Sequence, residues 1–139
     1  MKEIIKWLRN VEHLANEVYL QATVTHSHNQ AFSEFLEKIA EEEAWHYHVM
    51  GSAANLLDEK PEIIPAISVD KETGDRILQY FYDLQDGLKN KSLSEELILE
   101  KIIEAELSEW NDIFLYIINS LKENTREFNY PAAQFQSHL

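Results

Sequence analysis

Cysteine is absent from this 139-residue chain, and glycine and proline occur only three times each. The first absence removes disulfides, thiolate metal sites and thiol chemistry, so any metal must be held by carboxylate and imidazole. The second leaves few helix breakers in a sequence whose polar positions are filled mostly by Glu, Lys, Gln and Asn, which points to a mostly helical protein. Basic residues are scarce too. Twelve Lys and Arg stand against 25 Asp and Glu, a formal charge of -13, which repels phosphate backbones and anionic lipid surfaces and argues against nucleic acid or a membrane as partner. Cations remain open as partners. Long apolar runs are missing as well: the N-terminal stretch MKEIIKWLRNVEH carries a charge every few residues and reads as neither a signal peptide nor a membrane span, so a cytoplasmic protein is expected. The length fits one domain, residues 1–139, with a sizeable core.

What is present is helical periodicity. Ile4, Leu8, Val11, Ala15, Val18 and Ala22 alternate steps of four and three, which predicts an amphipathic helix from residue 3 to about 25. After the polar break THSHNQ, the series Phe32, Phe35, Leu36, Ile39, Ala40, Tyr47, Met50, Ala54 and Leu57 predicts a second helix to about residue 58. EKPEIIPAISVDKETG reads as a long connection, followed by a short accessory helix marked by Ile77, Phe81, Leu84 and Leu88. KSLSEEL offers a capping signal at or near Ser94 for a strongly apolar helix over about 95 to 122. Pro131 suits a first helical turn, so AAQFQSHL begins a last helix that reads as cut short. The expected fold class is all-α: a four-helix bundle with a long crossover between its second and third helices that contains the accessory helix.

Each step along a helix rotates the side chain by about 100°, so every acid can be placed against the apolar stripe of its own helix. In EEEAWHYH, residues 41–48, Glu43 and His46 fall within the stripe, Glu42 at its margin, and Glu41 and His48 outside. On the first helix Glu12 is inside and Glu17 outside. On the 95–122 helix, whose stripe is built by Leu99, Ile102, Ile103, Trp110, Ile113, Phe114, Ile117 and Ile118, Glu106 lies within, Glu109 just beyond the edge, and Glu104 points away. Three long helices thus each carry one inward carboxylate. An unpartnered buried carboxylate costs several kcal/mol, and a pair of divalent cations compensates several at once; the three-residue spacing of Glu43 and His46 lets both reach one metal. Taken singly, Glu43 and His46 also read as a mutually hydrogen-bonded core pair, and Glu12 or Glu106 as an edge acid that reaches water. His13, His26 and His28 read as surface histidines. Trp45, Val49, Ser52 and Leu56 form a second, outer stripe on the second helix, for which contact with another subunit in a homodimer, or with the accessory helix, is expected.

These residues resemble the ferritin-like superfamily and, within it, the rubrerythrin-like proteins. VEHLANEVY, with Glu12, Ala15 and Tyr19, is similar to the family's first-helix signature. FLEKIAEEEAWH is similar to its second-helix signature ending in Glu-x-x-His, and IIEAELSEWNDIF follows the family's order. The resemblance covers nearly the whole chain and implies Glu12, Glu43, His46 and Glu106 as ligands of a di-iron centre, with Glu43 and Glu106 as bridges and with manganese or zinc as other candidate metals. It further implies His138 as the histidine of the fourth helix. There the sequence departs from the family, because Phe135 stands where the acid of a second Glu-x-x-His belongs, with Glu109 or Gln134 as substitutes. One metal, an asymmetric pair and an empty site all stay open. The implied activity is oxidation of Fe(II) by peroxide or dioxygen; the alternative is a degenerate bundle that acts as a sensor or interaction module. Rubrerythrins receive electrons through a cysteine-ligated module that this chain lacks, so a redox cycle would draw on an outside, unidentified electron donor.

Overall fold

The computed structural model describes residues 2–60 and 69–124. Its elements are α1 (Lys2–Thr25), α2 (Gln30–Glu59), α3 (Lys71–Lys89), α4 (Glu95–Glu106) and α5 (Glu109–Asn124), with no strand among the described residues. The all-helical expectation is met, and no helix among the described residues is long and apolar enough to cross a membrane. The predicted last helix lies outside the described residues.

Local chemistry sets the boundaries. The Asn29 side chain accepts from the Phe32 amide at 3.2 Å and caps α2; Asp70 does the same for α3 through Thr73 at 2.8 Å, and Ser94 for α4 through Leu97 at 3.2 Å. α3 ends in a Schellman turn: the Ser92 amide donates to the Gly87 carbonyl at 3.0 Å and the Lys91 amide to that of Leu88 at 3.2 Å, with Lys91 in the left-handed region at φ 54°. At Gly87 an added Cβ would stand 2.6 Å from a Leu93 methyl, so a side chain there would require Leu93 to shift.

Two differences from the sequence reading matter for the site. First, α3 is no accessory piece. It begins at Lys71, inside the stretch read as connection, runs 19 residues, and buries Ile77, Phe81, Leu84 and Leu88. The stretch KETG was read as loop because of its glycine, yet Gly74 lies within the helix, where an added Cβ would sit 3.2 Å from Trp7 Nε1. Second, the helix predicted over 95–122 is broken at Leu107 and Ser108. In an unbroken helix the Ala105 carbonyl would accept from the residue four ahead; here it takes the Ser108 amide at 2.9 Å, the Ser108 hydroxyl at 2.6 Å and the Trp110 indole N–H at 2.8 Å. Asn111 Nδ2 donates to the Glu106 carbonyl at 3.1 Å. Side-chain donors thus take over carbonyls that the helical ladder would otherwise use. Ile103 is 57% exposed, contrary to its place on the predicted stripe. Phe35, at the edge of the second-helix stripe, is exposed as well.

The core has two parts. One joins Val11, Ala15, Val18, Tyr19 and Ala22 of α1 to the first half of α2, to all four buried side chains of α3 and to Ile98, Ile102, Ala105 and Trp110. The other joins Ile4, Ile5 and Leu8 to the second half of α2 and to Phe114, Ile117, Ile118 and Leu121 of α5. Val49 and Leu56 of the outer stripe on α2 belong to this second part, so these two are covered within the chain and need no second subunit.

Candidate metal centre

The junction between the two core parts is polar. Glu12 on α1 and Glu43 and His46 on α2 are all buried, with Glu12 0% exposed. Helix period brings them together: α1 and α2 are antiparallel neighbours joined by the short turn at 26–29, and each turns its apolar stripe toward the other. Asn16 Nδ2 pins their register by donating to the Ala40 carbonyl at 2.6 Å. The inward-outward assignment holds along the octapeptide: Glu43 and His46 are buried, Glu42 is half-buried, and Glu41 and His48 are exposed.

His46 Nδ1 lies 3.2 Å from Glu43 Oε2 and 3.4 Å from Glu12 Oε2. Glu12, Glu43 and His46 each offer a ligand atom within 4.8 Å of the other two. Glu106, half-buried at the end of α4, is not one of these three but adjoins Glu43, with which it shares a hydrogen bond, and it accepts from the Tyr19 hydroxyl at 3.5 Å. Aromatic walls surround the cluster. The His46 ring packs on Phe114 with centroids 4.9 Å apart, and Phe81 stands edge-on to both Tyr19 and Trp110. A cavity of about 150 Å³ lined by Lys38, Glu41, Glu42, Trp45 and His46 reaches His46 from outside.

Three carboxyl groups this close cannot all ionise. Burial, then the charge of Glu43 and a hydrogen bond to it, pushes Glu12 well above the usual carboxylate range. The same causes push Glu106 up to about 8. Burial also opposes the charge on Glu43, but hydrogen bonds from Glu12, His46 and Glu106 and the His46 charge outweigh it and hold Glu43 below its ordinary value. Without metal, then, the cluster favours the charge on Glu43 and the protonated forms of Glu12 and Glu106.

The donor set fits a divalent metal. Both oxygens of Glu12 are shielded from water, and their polar neighbours are Glu43 and His46 of the same cluster, a costly arrangement that a bound cation would relieve. Carboxylate with imidazole suits iron, manganese or zinc. Of the other sequence-derived candidates, Glu109 opens α5 with its side chain outside what is described, and His138, Gln134 and Phe135 lie outside the described residues. The buried positions of α3 are Gly74, Ile77, Phe81, Leu84 and Leu88, so this helix brings no buried carboxylate. No family model, curated protein or solved structure matches the chain.

The sequence reading placed His26 on the surface; it is buried, at 8% exposure, beneath Phe32 and beside the N-terminus of α4. A histidine in a short polar turn carries no periodic signal, and its contact with Glu95 is made with a residue some 70 positions away.

Proposed function

We propose that Glu12, Glu43, His46 and Glu106 bind a redox-active divalent metal, iron foremost and in a di-metal arrangement, within a ferritin-like bundle of the rubrerythrin type. The observation that carries this reading is Glu12, a fully buried carboxyl whose polar neighbours are the His46 imidazole and the Glu43 carboxyl, with the Glu106 carboxyl next to them. When bound, iron would supply the electrons for reduction of peroxide or dioxygen, with Fe(II) as the oxidised partner.

The residues of the chain have separate tasks in this proposal. Glu43 faces both Glu12 and Glu106 and is the carboxylate to be shared. Glu12 and Glu106 release their protons as cations enter, so uptake is coupled to pH. The Tyr19 hydroxyl orients Glu106, Phe114 fixes the plane of the His46 ring, and Phe81 and Trp110 keep bulk water from the interior. Glu41 and Glu42, at the small cavity over His46, give cations an acidic approach.

A second reading, a bundle that keeps the polar layer but serves as a sensor or interaction module, draws support from α3, whose buried face carries no carboxylate. Anaerobic titration of metal-free protein with Fe(II), followed by peroxide and near-ultraviolet absorbance, separates the two. The first reading expects at least about one tightly held iron per chain that disappears in Glu43→Ala. Iron uptake identical in wild type and Glu43→Ala leaves the second reading alone.

A further inference from the structure

A second histidine-carboxylate cluster lies at the end of the bundle, where the turn at 26–29 meets the start of α4. His28 Nε2 is 3.6 Å and His26 Nδ1 3.9 Å from the same oxygen, Glu95 Oε1. The three residues each place a ligand atom within 4.8 Å of the other two. A tetrahedral cation with bonds of about 2.1 Å separates its ligands by roughly 3.4 Å, so little movement would close the set around one ion.

Two further observations set this cluster apart from chance neighbours on a surface. His26 is more than nine-tenths buried, and both of its ring nitrogens are shielded from solvent without a hydrogen-bond partner; a neutral imidazole normally satisfies both. Glu95 is already oriented. Asn29 Nδ2 donates to its other oxygen, Oε2, at 3.0 Å, while the Asn29 carbonyl oxygen caps α2. One side chain therefore locks the turn to α2 and turns Glu95 Oε1 toward the two imidazoles, the role that outer partners play around metal ligands.

We propose that His26, His28 and Glu95 form a second metal site, for a zinc-class divalent cation with two imidazoles and one carboxylate, which clamps the α1–α2 turn to the N-terminus of α4. Two histidines and a glutamate leave a fourth position for water, and without thiolates the set selects borderline d-block cations over calcium or magnesium.

The test is a titration of the metal-free full chain with Zn²⁺, and in parallel with Co²⁺, in wild type, His28→Ala, Glu95→Gln and Glu43→Gln. His28 is exposed, so its removal leaves the core untouched. One equivalent of Zn²⁺ is expected to weaken on the order of 100-fold or more in His28→Ala and Glu95→Gln, and to persist in Glu43→Gln, which probes the inner cluster. The visible bands of Co²⁺ at this equivalent should vanish in His28→Ala, and the side-chain ¹⁵N resonances of His26 and His28 should shift together with it. Zinc stoichiometry and affinity equal to wild type in both His28→Ala and Glu95→Gln overturn the proposal, as does a titration in which His46 alone responds.

Discussion

Glu12, Glu43 and His46 sit on the inward faces of two long helices, whereas His26, His28 and Glu95 come from a tight turn and the first residue of a distant helix. The inner group is buried throughout; the outer group grades from buried His26 through half-buried Glu95 to exposed His28. Helix period alone brings the inner residues together, and the surrounding apolar layers then impose the electrostatic problem that a cation would solve. The outer residues meet because two helix termini pack side by side, and most of their charge stays in contact with water. The inner cluster should therefore dominate stability and its pH dependence, and the outer one should show itself mainly when metal is present.

The largest expected effect tests the inner side of this contrast. Glu43→Ala removes the one carboxylate that keeps its charge and strands His46, Glu12 and Glu106; a loss of about 3 kcal/mol or more in chemical denaturation is expected, together with loss of the inner metal. Replacing both Glu43 and His46 by Leu should act in the opposite direction. Metal-free protein is expected to gain about 1–4 kcal/mol, because an apolar pair removes the desolvation cost altogether, while the inner metal is again lost. A double variant less stable than wild type would mean that the polar layer is itself net stabilising.

The pH dependence is of intermediate size. Glu12 and Glu106 are held above their ordinary value of 4.5, Glu106 at about 8, so above pH 4.5 the unfolded chain gives up protons that the folded chain keeps. Stability of the metal-free protein should accordingly fall as pH rises from 4.5 toward 8, by up to about 1.4 kcal/mol per pH unit for each such proton. Saturating metal should flatten that slope, since bound cations displace the same protons. Denaturant midpoints across this range, with and without metal, supply the check.

The smallest effect belongs to the outer group. Asn29→Ala, which uncaps α2 and frees Glu95, should cost about 1 kcal/mol without metal. His28→Ala should stay within about 0.5 kcal/mol of wild type under chelation. A larger cost for His28→Ala would erase the contrast between the two clusters.

Much of the inner site was legible because a helix is a local code. The positions of Glu12, Glu43 and His46 relative to their stripes needed only the rotation per residue, and antiparallel packing of α1 against α2 followed from the short turn between them. Glu106 was placed with less accuracy. The wheel assumed a continuous helix, but Ser108, Trp110 and Asn111 redirect the carbonyls of Ala105 and Glu106 and break it one residue beyond the acid. α3 was underestimated for a related reason. Gly74 looked like punctuation, whereas it lies within the helix at a place where Trp7 packs closely, 3.2 Å from where a Cβ would stand. Val49 and Leu56 looked like an outer stripe because a wheel cannot show which other parts of the chain bury them.

The sequence by itself determined the helices, most of their caps and which acids turn inward, since these depend on residues within a few positions of one another. The tertiary structure decided how the acids share one charge and that a turn histidine would come to lie against a glutamate far along the chain. Those outcomes depend on distances between helices and on the water that packing removes, and neither quantity is encoded in any single segment.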